Sequence, residues 1–307
     1  MIHMLRVGVV GVGAMGQHHV RVYSSTKGCT LIGVLDINSE RASEVAKEYN
    51  VVVFANVEDM LAAKPDAVSI AVPTSLHKGI SIKFLERGIH CLVEKPIAST
   101  VEDAEVMIKS AKEHDAILMV GHIERFNPAV STLKSIISNG ELGQVLSISA
   151  KRAGPFDPRI RDVGIIIDLM THDIDVCRYL VGREPLSVHA VYGKYKRDVE
   201  DFASMIIDFG GVIATLEANR FTPNKVRTLT ATGSIGVATL DYIDQTIEIL
   251  TYSYKRRVAT EKVEPLRIEI EHFLESIKSQ KKPLVDGEEG LKNLKIALEA
   301  LRCGSSG

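Results

Sequence analysis

Leu5-Arg-Val-Gly-Val-Val-Gly11-Val-Gly13-Ala-Met-Gly16-Gln-His-His-Val-Arg21 is the stretch whose reading decides the fold of this chain. Val7, Val9 and Val10 are β-branched residues in a short apolar run, the pattern of a central parallel strand covered on both faces. Three glycines follow at G-x-G-x-x-G spacing, and then a helix begins. Gly11 permits a tight turn, Gly13 leaves room for a ligand to approach the backbone, and Gly16 lets the new helix pack closely on the strand. Ala14 and Met15 lie at the start of that helix, where free backbone N–H groups form an anion site. Glycine-rich turns also close ordinary loops, so the spacing alone decides nothing.

The context decides it. A second apolar run, Thr30-Leu-Ile-Gly-Val-Leu, ends in Asp36, about 20 residues beyond Gly16, where a carboxylate hydrogen-bonds ribose hydroxyls in a dinucleotide-binding unit. Strand, turn, helix, strand and acid in that order predict a Rossmann site. A carboxylate there repels a 2′-phosphate, which favours NAD and makes NADP the weaker expectation. Arg41 lies near enough to soften that preference, and we count it among the cofactor-binding candidates.

The bulk composition excludes several classes. Among 307 residues, 37 basic and 39 acidic side chains leave a net charge of −2, which gives no support to nucleic-acid or membrane-surface binding. Apolar stretches are broken short of a membrane span, and Met-Ile-His-Met-Leu-Arg has no signal-peptide layout, so a cytoplasmic protein is expected. Cys29, Cys91, Cys177 and Cys303 show no C-x-x-C pair, which suits a reduced compartment and argues against a structural metal. The closing Gly304-Ser-Ser-Gly307 reads as a flexible tail.

From Asp36 onward the pattern alternates: helices over 39–49, 57–63, 74–87 and 100–114, strands over 51–54, 67–72, 89–93 and 117–120. Such alternation predicts a parallel sheet with right-handed crossovers, whose ligands lie beyond the carboxyl ends of its strands. Val72-Pro73-Thr74 and Glu94-Lys95-Pro96 occupy that edge, with His77 just behind. The alternation stops near Gly121-His122. Helices then follow over 127–140 and 168–180, with strands over 144–152, 187–195, 202–209, 212–220, 227–232, 237–240 and 246–252, and closing helices over 265–279 and 288–302. The expectation is a Rossmann domain over 1–121 and an α+β domain with a mainly antiparallel open sheet over 122–307. The exposed sheet face is expected to join copies of the chain as a homodimer or homotetramer.

Two constellations can do chemistry. Lys95 ends a buried strand at the cofactor edge, although at an arbitrary strand end it would read as a surface lysine paired with Glu94. On an ideal helix Asp168, His172 and Asp175 stand at i, i+4 and i+7 and share one face. An imidazole titrates near neutrality and suits a base that removes a hydroxyl proton as hydride leaves the same carbon. A solvated helix face and a metal site are the alternatives, and hydride transfer needs no metal.

The glycine turn with Gln17-His18-His19, the Glu94-Lys95-Pro96 triplet and the Asp168…His172…Asp175 helix together resemble the glucose-fructose oxidoreductase, inositol dehydrogenase and MocA (Gfo/Idh/MocA) family across nearly the whole chain. The resemblance implies an NAD(P)-dependent oxidoreductase of CH–OH groups, with Lys95 and His172 flanking the reacting carbinol and Asp168 holding substrate or histidine. Met170 and Gly164-Ile165 depart from the family pattern, which often has glycine at the first place and Gly-Gly at the second. Gly121-His-Ile-Glu-Arg-Phe-Asn-Pro128 and the basic stretch with Arg152, Arg159 and Arg161 are similar to the UDP-sugar branch. That branch oxidises the 3-hydroxyl of UDP-N-acetylglucosamine or its uronate. His122, Arg152, Arg159 and Arg161 are therefore substrate-binding candidates beside Asp168 and His172, since arginine forks suit diphosphate oxygens. Glu124 has no assigned role. The alternatives are an inositol or aldose dehydrogenase of the same family, and a non-catalytic NAD-binding sensor.

Overall fold

The computed structural model describes residues 4–156, 163–196 and 198–306. The chain divides into two compact units. The first holds the chain up to His122 together with Leu266–Leu294, and the second holds Ile123–Pro265 and the chain from Lys295 onward. The residues of the closing helices up to Leu294, read from the sequence as part of the second half, thus pack with the first unit. The reason is local: Val120 N–H donates to Val285 O at 2.9 Å and Met119 bridges Asp286, so the segment between those helices covers the outer strand of the first sheet. A covered edge has no unpaired backbone groups to offer another chain.

In the first unit β1 (Leu5–Val10), β2 (Cys29–Leu35), β3 (Val52–Val53), β4 (Ala67–Ile70), β5 (His90–Glu94) and β6 (Leu118–Gly121) pair in parallel in the order β3-β2-β1-β4-β5-β6. The order reverses between β1 and β4, which opens the ligand crevice of a doubly wound sheet at the carboxyl ends of these strands. Gly11, Asp36, Val72 and Lys95 all follow strands at that edge. The helices are α1 (Ala14–Ser25), α2 (Ser39–Tyr49), α3 (Val57–Ala62), α4 (His77–Leu85) and α5 (Val101–Glu113). Asn38, Asn56 and Thr100 cap α2, α3 and α5 by accepting backbone N–H groups, each worth about 1 kcal/mol. The helix predicted over 74–87 divides into a tight turn, Thr74–Leu76, and α4. The α8 helix (Pro265–Ser279) buries Leu266, Ile270, Phe273 and Leu274.

The second unit contains α6 (Pro128–Ser138), α7 (Thr171–Val181) and a nine-stranded sheet. Its strands are β7 (Val145–Ala153), β8 (Ser187–Gly193), β9 (Phe202–Asp208), β10 (Ile213–Asn219), β11 (Val226–Gly233), β12 (Gly236–Asp241), β13 (Thr246–Thr251), β14 (Lys255–Ala259) and β15 (Ser305–Ser306). The order is β14-β13-β12-β11-β7-β10-β9-β8-β15, antiparallel except where β7 meets β10 and β8 meets β15. Strict alternation along β9 and β10 turns Ala203, Met205, Ile207, Ala214, Leu216 and Ala218 inward. They share one core with Leu133 of α6, Ile174 of α7 and Ala297 of α9 (Gly287–Cys303). Burial of each large aliphatic side chain contributes about 1.5–3 kcal/mol. Gly210 and Gly211 both have positive φ, 70° and 96°, and form the two-residue hairpin expected between β9 and β10. Two strands were not predicted: β14, and the short β15 within the stretch read as a tail. Among the described residues no helix is long and apolar enough to cross a membrane.

Candidate active site

In the first unit the glycine turn is built as its spacing requires. Gly11 has φ 85°, and a Cβ there would fall 2.6 Å from Ala71 O. A Cβ at Gly16 would fall 1.8 Å from Gly11 O, so only glycine lets α1 start this close to the strand. At Gly13 a Cβ would meet nothing within 4 Å, which leaves the space at the α1 N-terminus open. No side chain caps that end, so the N–H groups following Gly13 are available to a diphosphate. These features fit a dinucleotide.

Asp36 ties the turn to β2. Its Oδ2 accepts Val12 N–H at 2.7 Å and its Oδ1 accepts Asn38 N–H at 2.8 Å. Each carboxylate oxygen keeps a second lone pair for a ribose hydroxyl. Arg41 Nη1 stands 3.9 Å from Asp36 Oδ2 and its side chain is 44% exposed. Val72, Pro73 and Thr74 follow β4 as expected, but His77 is buried as a strut. Its Nε2 faces Val72 O at 3.0 Å and its Nδ1 faces Pro96 O at 3.0 Å. Burial, against these carbonyl contacts, pushes its pKa below the ordinary histidine value. Both ring nitrogens are engaged, and the residue braces the two loops.

Glu94 is packed at the end of β5. Its Oε1 meets His19 Nε2 at 3.0 Å and its Oε2 accepts Lys95 N–H at 3.3 Å. Burial alone would raise its pKa; hydrogen bonding and charge from His19, with Lys95 and His77, outweigh that and hold it below the usual carboxylate range. Lys95 is joined to Pro96 by a cis peptide. His122 is 1% exposed, with Nε2 at 3.4 Å from Asn293 Nδ2, and so is enclosed rather than presented on a surface.

In the second unit a wide helical turn, Ile166–Met170, with π-type geometry, leads into α7. Asp168 lies in that turn, and Arg220 Nη2 donates to its Oδ2 at 2.5 Å. His172, half-buried, lies on the first turn of α7. The extra residue in the turn breaks the single face predicted for Asp168, His172 and Asp175. Asp175 instead points into the core, fully buried, where Arg125 Nε and Nη2 grip it at 2.8 Å each. Turns of this kind recur at functional sites.

Arg152 is placed differently from the exposed loop cation expected. It is 1% exposed, donates from Nε and Nη2 to Asp173 and from Nη1 to Glu124, and stacks 5.0 Å over Tyr242. A guanidinium so enclosed is held by the core and spends these donors internally. Glu124, unassigned in the sequence, is thereby an internal counter-ion, held also by Asn127 Nδ2 at 3.2 Å. Arg159 and Arg161 lie outside the described residues. Sequence reasoning missed Arg220, whose approach to Asp168 depends on where β10 ends, and the His19–Glu94 bond. The doubled His18-His19 was the only signal for the latter. Glu200 takes a similar supporting part: its Oε1 accepts Ile166 N–H at 3.3 Å, and a Cβ at Gly164 would fall 1.9 Å from that oxygen.

Residues 5–122 match the oxidoreductase family described as having an NAD-binding Rossmann fold, and residues 130–239 match the Gfo/Idh/MocA C-terminal domain. Among curated proteins the chain is 35% identical to UDP-N-acetylglucosamine 3-dehydrogenase of Acidithiobacillus ferrooxidans, over 97% of this chain and 96% of that one. It is 29% identical to scyllo-inositol 2-dehydrogenase (NAD(+)) of Bacillus subtilis, over 98% and 94%. The solved structure of the Acidithiobacillus enzyme superimposes with a TM-score of 0.91, covering 99% of this chain and 98% of that one. Levoglucosan dehydrogenase in complex with NADH and levoglucosan, 24% identical over 97% of this chain and 96% of that one, shares the fold at a TM-score of 0.89. Two family matches over most of the chain, with the glycine turn, the Glu94-Lys95-Pro96 edge and the His172 helix in place, show that it belongs to the Gfo/Idh/MocA family of oxidoreductases and is a dehydrogenase of CH–OH groups.

Proposed function

We propose that the chain oxidises the 3-hydroxyl of UDP-N-acetylglucosamine to the 3-keto sugar, with NAD as cofactor. The observation that carries the substrate is the similarity, 35% identity over 97% of this chain, to a UDP-N-acetylglucosamine 3-dehydrogenase. NAD, when bound, supplies the hydride acceptor. In this reading Gly11, Gly13 and Gly16, with the N–H groups of Ala14 and Met15, hold the pyrophosphate. Asp36 takes the ribose hydroxyls and disfavours a 2′-phosphate; Arg41, exposed and 3.9 Å away, leaves that charge in force. Val72, Pro73, Thr74 and Glu94 line the nicotinamide end.

His172 takes the proton of the reacting hydroxyl, and Lys95 polarises its oxygen. Asp168, paired with Arg220, accepts a hydrogen bond from a sugar hydroxyl or orients the imidazole. Arg159 and Arg161 remain candidate diphosphate contacts. UDP-N-acetylglucosamine carrying deuterium at C3 tests the site of oxidation. A primary isotope effect on single-turnover NAD reduction, with deuterium recovered in the reduced nicotinamide, is expected. Protium in the reduced cofactor would place the oxidation at another carbon.

A further inference from the structure

The second unit carries a hollow of about 740 Å³ lined by Phe156, Lys194, Tyr195, Lys196, Phe202, Arg220 and Phe221 among others, within the usual range for a small-molecule site. The topology explains its place. β7, β8 and β10 run in one direction while β9 and β11 run in the other, so the segments after the first three and the start of β9 gather at one end of the sheet. Arg220 connects this hollow to the wide turn before α7, because it lines the hollow and also bonds Asp168.

The lining pairs aromatic rings with cations. Phe221 meets Tyr195 edge-on at 5.2 Å and Phe202 at 6.2 Å. Lys196 Nζ stands 5.4 Å from the Phe156 ring centroid and 5.9 Å from that of Tyr195. These rings are left open to solvent, with Tyr195 73%, Phe202 44% and Phe221 38% exposed. The backbone that carries them is fixed. Asp201, fully buried, accepts the N–H groups of Tyr195 and Lys196 through Oδ2 at 3.2 and 2.8 Å. Asn219 Oδ1 accepts Phe221 N–H at 3.2 Å and the Thr222 hydroxyl at 2.7 Å. Arg220 is 4% exposed, yet its buried Nε–H has no acceptor among the described residues. An unmet buried donor costs stability unless a ligand answers it.

We propose that this hollow binds the nucleoside diphosphate half of the substrate. The base stacks on Phe221 and Tyr195, Lys194 and Lys196 face the phosphates, and the unmet Nε–H of Arg220 completes the anion side. Stacked rings accept any base face, and clustered cations in a chain of net charge −2 select an anion. Arg220 then serves both ends of one ligand, an anion in the hollow and the sugar beside Asp168. This inference rests on the nucleotide-sugar reading above.

The test uses the full chain and UDP as probe, with calorimetric titration, UDP-N-acetylglucosamine kinetics and light scattering on wild type, Phe221→Ala, Lys196→Ala and the milder Lys196→Gln. In support, the Ala variants weaken UDP binding at least about fivefold and raise KM in step, while kcat stays within about twofold. If wild type oxidises UDP-N-acetylglucosamine but the variants bind UDP normally, the hollow is not the subsite, although the proposed function stands. If the variants change only the number of associated copies, the aromatic patch is a contact between chains and the inference is overturned. If wild type neither binds UDP nor oxidises the UDP-sugar, the proposed function itself fails.

Discussion

His19 Nε2 lies 3.0 Å from Glu94 Oε1, at the end of a buried chain of polar groups behind Lys95. Tyr23 Oη meets Ser69 Oγ at 2.8 Å, and Ser69 Oγ meets His19 Nδ1 at 3.0 Å. An ionised Glu94 only accepts, so Nε2 is the donor; with a neutral imidazole, Ser69 donates to Nδ1 and Tyr23 to Ser69. All the protons then point toward Glu94, and such chains strengthen cooperatively.

His19 is accordingly a positioning residue for the Glu94-Lys95 edge. His19→Leu is expected to lower kcat about tenfold or more and to shift the acid limb of the kcat–pH profile, because it removes a buried partner worth about 1–3 kcal/mol. His19→Gln, which keeps an N–H donor, is expected to restore part of both. Unchanged kcat and pH profile in His19→Leu, with only a lower melting temperature, would reduce the residue to packing.

The same groups set a direction for acid stability. Glu94 titrates below its ordinary range in the folded unit, so its stabilisation is complete above the unfolded carboxyl value and is lost as pH falls through the lower folded one. His77 is also held below its ordinary value, chiefly by burial, so the unfolded chain binds the proton first as pH drops through about 6.5. Melting temperature is expected to fall between pH 7 and 5, and His77→Gln to flatten that slope. An equally steep slope in the variant removes His77 from the account.

Lys95→Ala is expected to cut kcat about 10²–10⁴-fold, with NAD affinity measured by fluorescence titration changed far less. Asp168→Asn is expected to lose about 10²-fold or more in kcat/KM for the sugar, since it removes the charge that Arg220 holds in place. Normal turnover in either variant removes that residue from the mechanism.

Arg152→Met tests whether that residue serves the core or the substrate. Taking one partner from a buried charge cluster strands Asp173 and Glu124, at a cost of about 3–5 kcal/mol. The expected signature is a drop in urea midpoint, with KM for the sugar little changed in the molecules that remain folded. A selective rise in KM at normal stability would return Arg152 to the substrate.

Local signals were legible wherever chain spacing alone fixes geometry. The predicted helices over 39–49 and 265–279 coincide with α2, which Asn38 caps, and with α8, which opens at Pro265. The parallel first sheet and the antiparallel second one followed from alternation and turn residues. β14, Lys-Arg-Arg-Val-Ala, escaped because it is an exposed edge strand with no apolar alternation to read. Side-chain surroundings were not legible where a partner comes from far along the chain. Arg152 looked like a loop cation, yet its acceptors come from Glu124 and Asp173. Asp175 looked like a face-mate of His172 because an ideal helix was assumed where a π-type turn intervenes.

The most direct measurement is NAD reduction by the purified protein, offered separately UDP-N-acetylglucosamine, its uronate, N-acetylglucosamine, glucose and myo-inositol. Reduction is expected with the UDP-sugars, and little with the free sugars or polyol. Reduction with myo-inositol or glucose alone would contradict that expectation, and would leave the fold and family standing with a different substrate.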